Sequence, residues 1–196
     1  MILEQLRGAI AAHHREDSPA DEIQPEYLPI GGLHHAAVLV PLHEKDGGLH
    51  VLMTRRPEHM SRHPGQIAFP GGRIDAEEDH LEAALREAQE EIGLEPAHAD
   101  VIGRLSEAVV LTSPFRLTPW VASVPYPYPY VAAPGEVAEI LHLPMAALAA
   151  PGAHHMETRE AYGMWHQVHF FTLGKVKLWG ATARVLAELV SIWRTL

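Results

Sequence analysis

Residues 86–91 read Arg-Glu-Ala-Gln-Glu-Glu, which places Glu87, Glu90 and Glu91 at positions i, i+3 and i+4. On a helix this spacing turns three carboxylates toward one side. Such close like charges repel, and a hard divalent cation removes the repulsion. Magnesium takes oxygen ligands and keeps waters and substrate phosphates in its shell. The chemistry that suits such a centre is water attack on a diphosphate, with the metal screening phosphate oxygens and stabilising the leaving phosphate. A Glu-x-x-Glu-Glu cluster alone is more often a solvated helix face, so its surroundings must decide.

The helix that would carry these carboxylates has readable ends. Asp79 is a candidate N-cap with Glu82 three residues on, and Gly93 is a candidate stop. Leu81, Ala84, Leu85, Ala88 and Ile92 form the apolar stripe, on a side other than the carboxylates. Arg86 is spaced to pair with Glu82, and Glu78, ahead of the helix, is placed to brace the preceding loop. That loop, residues 55–72, is rich in Arg, His, Pro and Gly and too long for a tight turn; long ordered loops usually serve function.

Elsewhere, Leu3, Leu6, Ile10 and His13 follow helical spacing. Residues 15–33 read as a connecting loop. Ala36–Leu42 and Leu49–Thr54 flank an Asp46-Gly47 turn and predict a β-hairpin. Further strands are expected at Val101–Leu105, Val109–Leu111, Thr118–Val124 and Val168–Leu173, and a closing amphipathic helix over Thr182–Trp193. The run Pro125-Tyr126-Pro127-Tyr128-Pro129-Tyr130 reads as an extended connector that cannot enter a sheet interior. This order predicts an α/β architecture with a mixed sheet packed between helices. Residues 1–30 form an N-terminal helix and connector, and 31–196 the main domain.

Composition narrows the function. A formal net charge of -10 opposes a general nucleic-acid binder. A phosphorylated small molecule remains compatible, because a metal and local arginines reverse the field within one cleft. With no cysteine there is no thiolate chemistry and no Cys-ligated zinc. The fifteen histidines include the adjacent pairs His13-His14, His34-His35 and His154-His155, which point apart, and lack a His-Glu-x-x-His pattern. The N-terminus lacks a signal-peptide apolar run, and Arg184, Glu188 and Arg194 interrupt the most apolar stretch, so a cytoplasmic protein without a membrane span is expected.

The wider pattern resembles a known family. Gly72, five residues, Glu78, seven residues, then Arg86-Glu87-Ala88-Gln89-Glu90-Glu91-Ile92-Gly93-Leu94 resembles the Nudix box throughout, with the small Ala88 in an apolar slot. The resemblance implies the Nudix fold, an α/β/α sandwich with a mixed sheet. It further implies a magnesium or manganese site built by Glu87, Glu90 and Glu91, with Glu87 and Glu91 as direct ligands. Glu78 and Arg86 would hold the loop against the helix. The general base is left between Glu90 and a residue outside the box.

The preceding loop resembles the second signature of coenzyme A diphosphatases at Leu52, Thr54, Arg56, Gly65 and Phe69-Pro70-Gly71-Gly72. It departs at Pro57, where that subfamily has Ser, and at Ser61, where it has Arg; Arg62, one place later, is the candidate replacement. Trp179-Gly180-Ala181-Thr182-Ala183 continues the likeness, which covers roughly residues 34–194.

Arg55, Arg56 and Arg62 are thus candidate phosphate binders, each with a surface ion pair as the ordinary alternative. Gly71 and Gly72 would let the backbone approach the phosphates. His59 and His63 stand in the same loop. Glu136 and Glu139 lie where such enzymes sometimes place an extra ligand or base, with ordinary surface carboxylates as the bland reading. The Tyr-Pro run is either a stacking wall for a base or a rigid connector. The implied reaction is hydrolysis of coenzyme A or acyl-coenzyme A to 3′,5′-ADP and (acyl-)4′-phosphopantetheine. The rivals are another diphosphate substrate such as ADP-ribose, and a nucleotide sensor without turnover.

Overall fold

The computed structural model describes residues 1–13, 32–60, 63–161 and 163–196. The expected connector over residues 15–33 lies almost wholly outside them.

Helix α1 (Ile2–Ala12) comes first in the chain. Twelve residues, His34–Lys45, then form strand β1, whose middle is buried on both faces. It turns through Asp46-Gly47 into β2 (Gly48–Arg55), and Lys45 sits opposite Gly48 as the Asp-Gly turn predicted. The loop after β2 is not wholly irregular. It contains two short strands, β3 (Ile67–Ala68) on β2 and β4 (Gly71–Arg73) on β1. Then come helix α2 (His80–Ile92), a single 3-10 turn over Pro96–His98, and strands β5 (Asp100–Arg104), β6 (Ala108–Val110) and β7 (Phe115–Ser123). β7 lies parallel to β1 over nine residue pairs, from His34 opposite Phe115 to Leu42 opposite Ser123. The remaining pairings of this eight-stranded sheet are antiparallel, so the sheet is mixed.

Strand alternation gives β1 two cores to serve. Ala37 and Leu39 face α2, together with Leu52, Ala84, Ala88 and Ile92. Val38, Val40 and Leu42 face the other way, toward α1 and the closing helix over Gly180–Trp193. Leu6 and Ile10 of α1 are fully or nearly fully buried in that second core, so the N-terminal helix belongs to the same packed body. Each such side chain contributes about 1.5–3 kcal/mol on burial.

Beyond the short strands β3 and β4 and the 3-10 turn, four further elements were not anticipated. β8 (Glu139–Pro144) adds to the free side of β2, followed by the single turn α3 (Met145–Leu148). β9 (His154–Ala161) and β11 (Val176–Trp179) flank β10 (Met164–Leu173) in a separate three-stranded antiparallel sheet. The closing helix, α4 (Gly180–Trp193), follows β11 directly. The Pro-Tyr segment enters no strand. Its Tyr126 ring stacks on His43 at 4.8 Å, and Tyr130 donates its hydroxyl to the Pro125 carbonyl.

Both ends of α2 are built as its sequence predicts. The Asp79 carboxylate accepts from the Leu81 and Glu82 N–H groups, while the Glu82 carboxylate accepts from the Asp79 N–H. Gly93 closes the helix in the left-handed conformation, φ 68°. Asp79→Ala should lower stability by about 1 kcal/mol, seen as a reduced urea midpoint with unchanged slope.

Candidate metal and diphosphate site

Small residues set the geometry. Ala83, Ala84 and Ala88 are the buried faces of α2, and their short side chains let the helix sit close to β1. Beside β1 in the sheet runs β4, with Gly72 opposite Ala37 and Gly71 opposite Val38. A methyl group on Gly72 would stand 2.4 Å from a Glu87 carboxylate oxygen, and one on Gly71 would stand 2.4 Å from the Ala37 carbonyl oxygen. The diglycine therefore lies flush against the sheet on one side and against a helix carboxylate on the other.

Arg86 does not pair with Glu82, as its spacing had allowed, because the Glu82 carboxylate is occupied in the capping box. Its guanidinium instead grips Glu78 through two hydrogen bonds, Nε to Oε1 at 2.8 Å and Nη2 to Oε2 at 3.1 Å. It also donates to Glu87 Oε1 at 2.9 Å, Glu90 Oε2 at 3.2 Å and the Arg73 carbonyl at 3.1 Å. One cation thus ties the loop, β4 and two of the three helix carboxylates together. The arginine holds the Glu78 carboxyl below its ordinary range, and the carboxylates raise the arginine's own pKa.

The three glutamates are not equivalent. Glu90 is exposed, its side chain 57% accessible, and it accepts a hydrogen bond from Arg86. Glu87 is mostly covered, and burial pushes its carboxyl upward against the opposing pull of Arg86. Glu91 is only 6% exposed, lying beside the apolar stripe rather than on a solvated face. Burial raises its pKa to about 8, with Glu87 and Glu136 adding repulsion, while Arg56 and the Gly71 N–H draw it down.

Glu136 comes to this group from a loop that sequence patterns did not place. The Val131 N–H donates to the Ile92 carbonyl and the Ala133 N–H to the Glu91 carbonyl, tying the loop to the C-terminus of α2. At the far end, the Ala138 N–H donates to the Arg55 carbonyl, tying it to β2. Glu136 is held between these anchors and repels both Glu87 and Glu91.

Two buried polar atoms here lack a hydrogen-bond partner among the described residues: Glu91 Oε2 and Arg56 Nε. A buried carboxylate oxygen with no donor is costly unless something binds it. The clustered acids around Glu91 call for a cation, and the unsatisfied guanidinium calls for an anion. A divalent ion carrying phosphate fits both. Among the described residues no three His, Asp or Glu side chains are gathered closely enough to hold a metal ion as they stand, so Glu87, Glu90 and Glu91 share the helix without forming a ready ligand set.

The remaining candidates separate. Arg55 is engaged in an ion pair with Glu139, 2.9 Å from Nε to Oε2, across the β2–β8 register. Arg62 lies outside the described residues. His59 is exposed in the signature loop. The interaction of Arg56 with Glu91 joins residues 35 positions apart and leaves no local signal in the chain.

A NUDIX domain model matches residues 33–177. The chain belongs to the Nudix family. It is a hydrolase of phosphorus-containing anhydrides, and the loop, diglycine and α2 described above are its Nudix box. Among its relatives, a protein described as an uncharacterized Nudix hydrolase NudL from Cronobacter sakazakii is 39% identical over 156 residues, 79% of this chain and 80% of that one. A protein of the same description from Enterobacter sp. is 37% identical over the same shares. A MutT/nudix family protein from Enterococcus faecalis shares the Nudix fold with a TM-score of 0.56 at 18% identity, covering 80% of this chain and 60% of the other. An Ap4A hydrolase from C. elegans gives a TM-score of 0.50 at 20% identity, covering 58% and 82%. None of the described helices is long and apolar enough to cross a membrane.

Proposed function

We propose that this Nudix hydrolase cleaves the diphosphate of coenzyme A or acyl-coenzyme A to 3′,5′-ADP and (acyl-)4′-phosphopantetheine. The observation that carries the reading is the buried Arg56 Nε and the buried Glu91 Oε2, each without a hydrogen-bond partner, on two groups that attract one another, because Arg56 sits in the loop that resembles the coenzyme A diphosphatase signature. Glu87 and Glu91 would hold magnesium or manganese, with Glu90 at the outer edge of its shell. When bound there, the ion neutralises phosphate oxygens and acidifies a bound water.

The residues of the chain divide the other tasks. Arg56 binds a non-bridging phosphate oxygen and fixes the diphosphate against Glu91. Arg86 holds Glu87 in place while Glu78 holds Arg86. Gly71 and Gly72 let β4 lie close against β1 and against the Glu87 carboxylate, rather than opening space for phosphate. Water attacks phosphorus, the P–O bridge of the diphosphate breaks, and the bridging oxygen leaves on the departing phosphate monoester. The water's proton passes to a carboxylate. Glu136 joins Glu90 as a candidate for this: both repel Glu87, Glu136 also repels Glu91, and Glu90 accepts a hydrogen bond from Arg86. Of Glu136→Gln and Glu90→Gln, the variant that removes the base should lower kcat by about 10²–10⁴-fold with little change in KM, and the other should lower it less.

The deciding experiment incubates the purified chain with coenzyme A and magnesium, with and without a chelator, and identifies products by mass spectrometry. Metal-dependent formation of 3′,5′-ADP and 4′-phosphopantetheine is expected. A higher kcat/KM for ADP-ribose than for coenzyme A would reassign the substrate. Absence of turnover on a panel of diphosphates would favour a binding protein.

A further inference from the structure

Among the described residues, the second sheet ends in an open edge. β10 is bonded on both sides, but β9 is bonded only to β10, and its outer edge meets no other strand among the described residues. An exposed edge of eight residues, about 27 Å long at about 3.4 Å per residue, is a template for another strand. Natural proteins usually protect such edges, and β9 carries neither proline nor lysine. The hairpin it forms with β10 also exposes large apolar groups. Trp165 is 71% accessible and Met156 54%, and both point to one face of the sheet, in the rows Trp165–Glu160 and Met156–His169.

The residues along β9 are complementary to themselves when the strand is reversed. Two-fold antiparallel pairing requires a residue at its centre, since opposed side chains must share a face. Centred on Thr158, it sets Glu157 against the partner's Arg159 and Arg159 against the partner's Glu157. Thr158 then meets the partner's Thr158, and Met156 meets the partner's Glu160. Centring on Glu157 or Arg159 instead would oppose identical charges. Within one chain Glu157 and Arg159 already lie side by side at the surface, joined by hydrogen bonds on the same face. Residues 154–161 hold two carboxylates and one guanidinium, so this edge is near neutral on a chain of formal charge -10. The long-range repulsion between two copies is therefore weakest here.

We propose that two copies of this chain associate through their β9 edges, antiparallel about a two-fold at Thr158. The two small sheets then become one continuous six-stranded sheet. In that sheet Trp165, Glu160, the partner's Met156 and the partner's His169 fall in one row, so the exposed indole and thioether share one face on either side of Glu160.

Charge exchange tests the register. Sedimentation of the full chain over a range of concentrations should show a species of twice the 21.6 kDa chain mass. Glu157→Arg and Arg159→Glu each create two like-charge oppositions and should weaken dimerisation about tenfold or more. Circular dichroism and thermal unfolding should show both variants folded. Mixing the two variants should restore the dimer, because arginines at 157 and 159 on one edge then face glutamates at 159 and 157 on the other. Mixing cannot repair the pair within a chain, so restoration reports contact between chains. A chain that stays monomeric at all concentrations, a Glu157→Arg variant that remains as dimeric as the parent, or a mixture no more dimeric than its components would each overturn the proposal.

Discussion

Glu91→Gln should yield a protein that is folded, more stable without metal than the parent, and nearly inactive. The loss of activity would follow from removing a carboxylate that we propose holds the metal. A contribution of several kcal/mol to transition-state stabilisation corresponds to a fall in kcat of about 10³-fold. The gain in stability follows from the position of the same side chain, buried at 6% exposure and repelled by Glu87 and Glu136. Its pKa of about 8 in the folded state, against an ordinary value near 4.5, means that the folded chain keeps a proton the unfolded chain releases. Stability attributable to this group is therefore full below about pH 4.5. It declines as pH rises and is lost above about 8. Glutamine cannot ionise and removes that slope. The metal competes for the same site as the proton, so its apparent affinity should rise by up to about tenfold per pH unit until about pH 8 in the parent, and less in the variant. Thermal unfolding in a chelator and manganese titration calorimetry at several pH values check both halves. A variant less stable than the parent at pH 8 would contradict the burial argument.

Gly72→Ala and Gly71→Ala should fail in different ways although the residues are neighbours. The added methyl on Gly72 meets the Glu87 carboxylate, its nearest oxygen 2.4 Å away. That carboxylate ends a flexible side chain, so the fold adapts by pushing Glu87 off Arg86 and away from its proposed metal-binding position. Activity should fall about 100-fold or more, as for a misplaced reacting geometry, with a modest change in melting temperature. The methyl on Gly71 meets backbone, the Ala37 carbonyl oxygen at 2.4 Å and Val38 Cα at 2.7 Å. Nothing there moves without opening the β1–β4 pairing, so destabilisation of about 3 kcal/mol or more is expected. Melting curves beside kcat separate the two. Equal loss of stability in both variants would show that Glu87 is not free to give way.

The Nudix helix was legible because its information is local. The N-cap Asp79, its partner Glu82 and the stop at Gly93 lie within fifteen residues, and each does what its spacing implies. The pairing of Arg86 was less legible, because Glu78 and Glu82 were both in reach and only the capping box shows why Glu82 is taken. Helical spacing also makes Glu87, Glu90 and Glu91 look alike, whereas depth makes Glu91 buried and Glu90 exposed. Depth depends on the loop over 131–138 and on β2, both distant in the chain. The strand β9 escaped notice because most of its length is wet on both faces, so His-His-Met-Glu-Thr-Arg-Glu-Ala shows no apolar alternation. β8 was hidden differently: it joins the outer side of β2 with Ile140, Leu141 and His142 only half covered.

β1 is a party wall. Its even-numbered side chains from Val38 to Leu42 close one apolar compartment, and Ala37 and Leu39 close the other. Neither room can be emptied while the wall between them stands, and the wall has little reason to stand once either is empty. The amides of β1 and its parallel neighbour β7 should therefore be among the last to exchange with deuterium, and they should do so together, through loss of the entire molecule rather than the opening of one side.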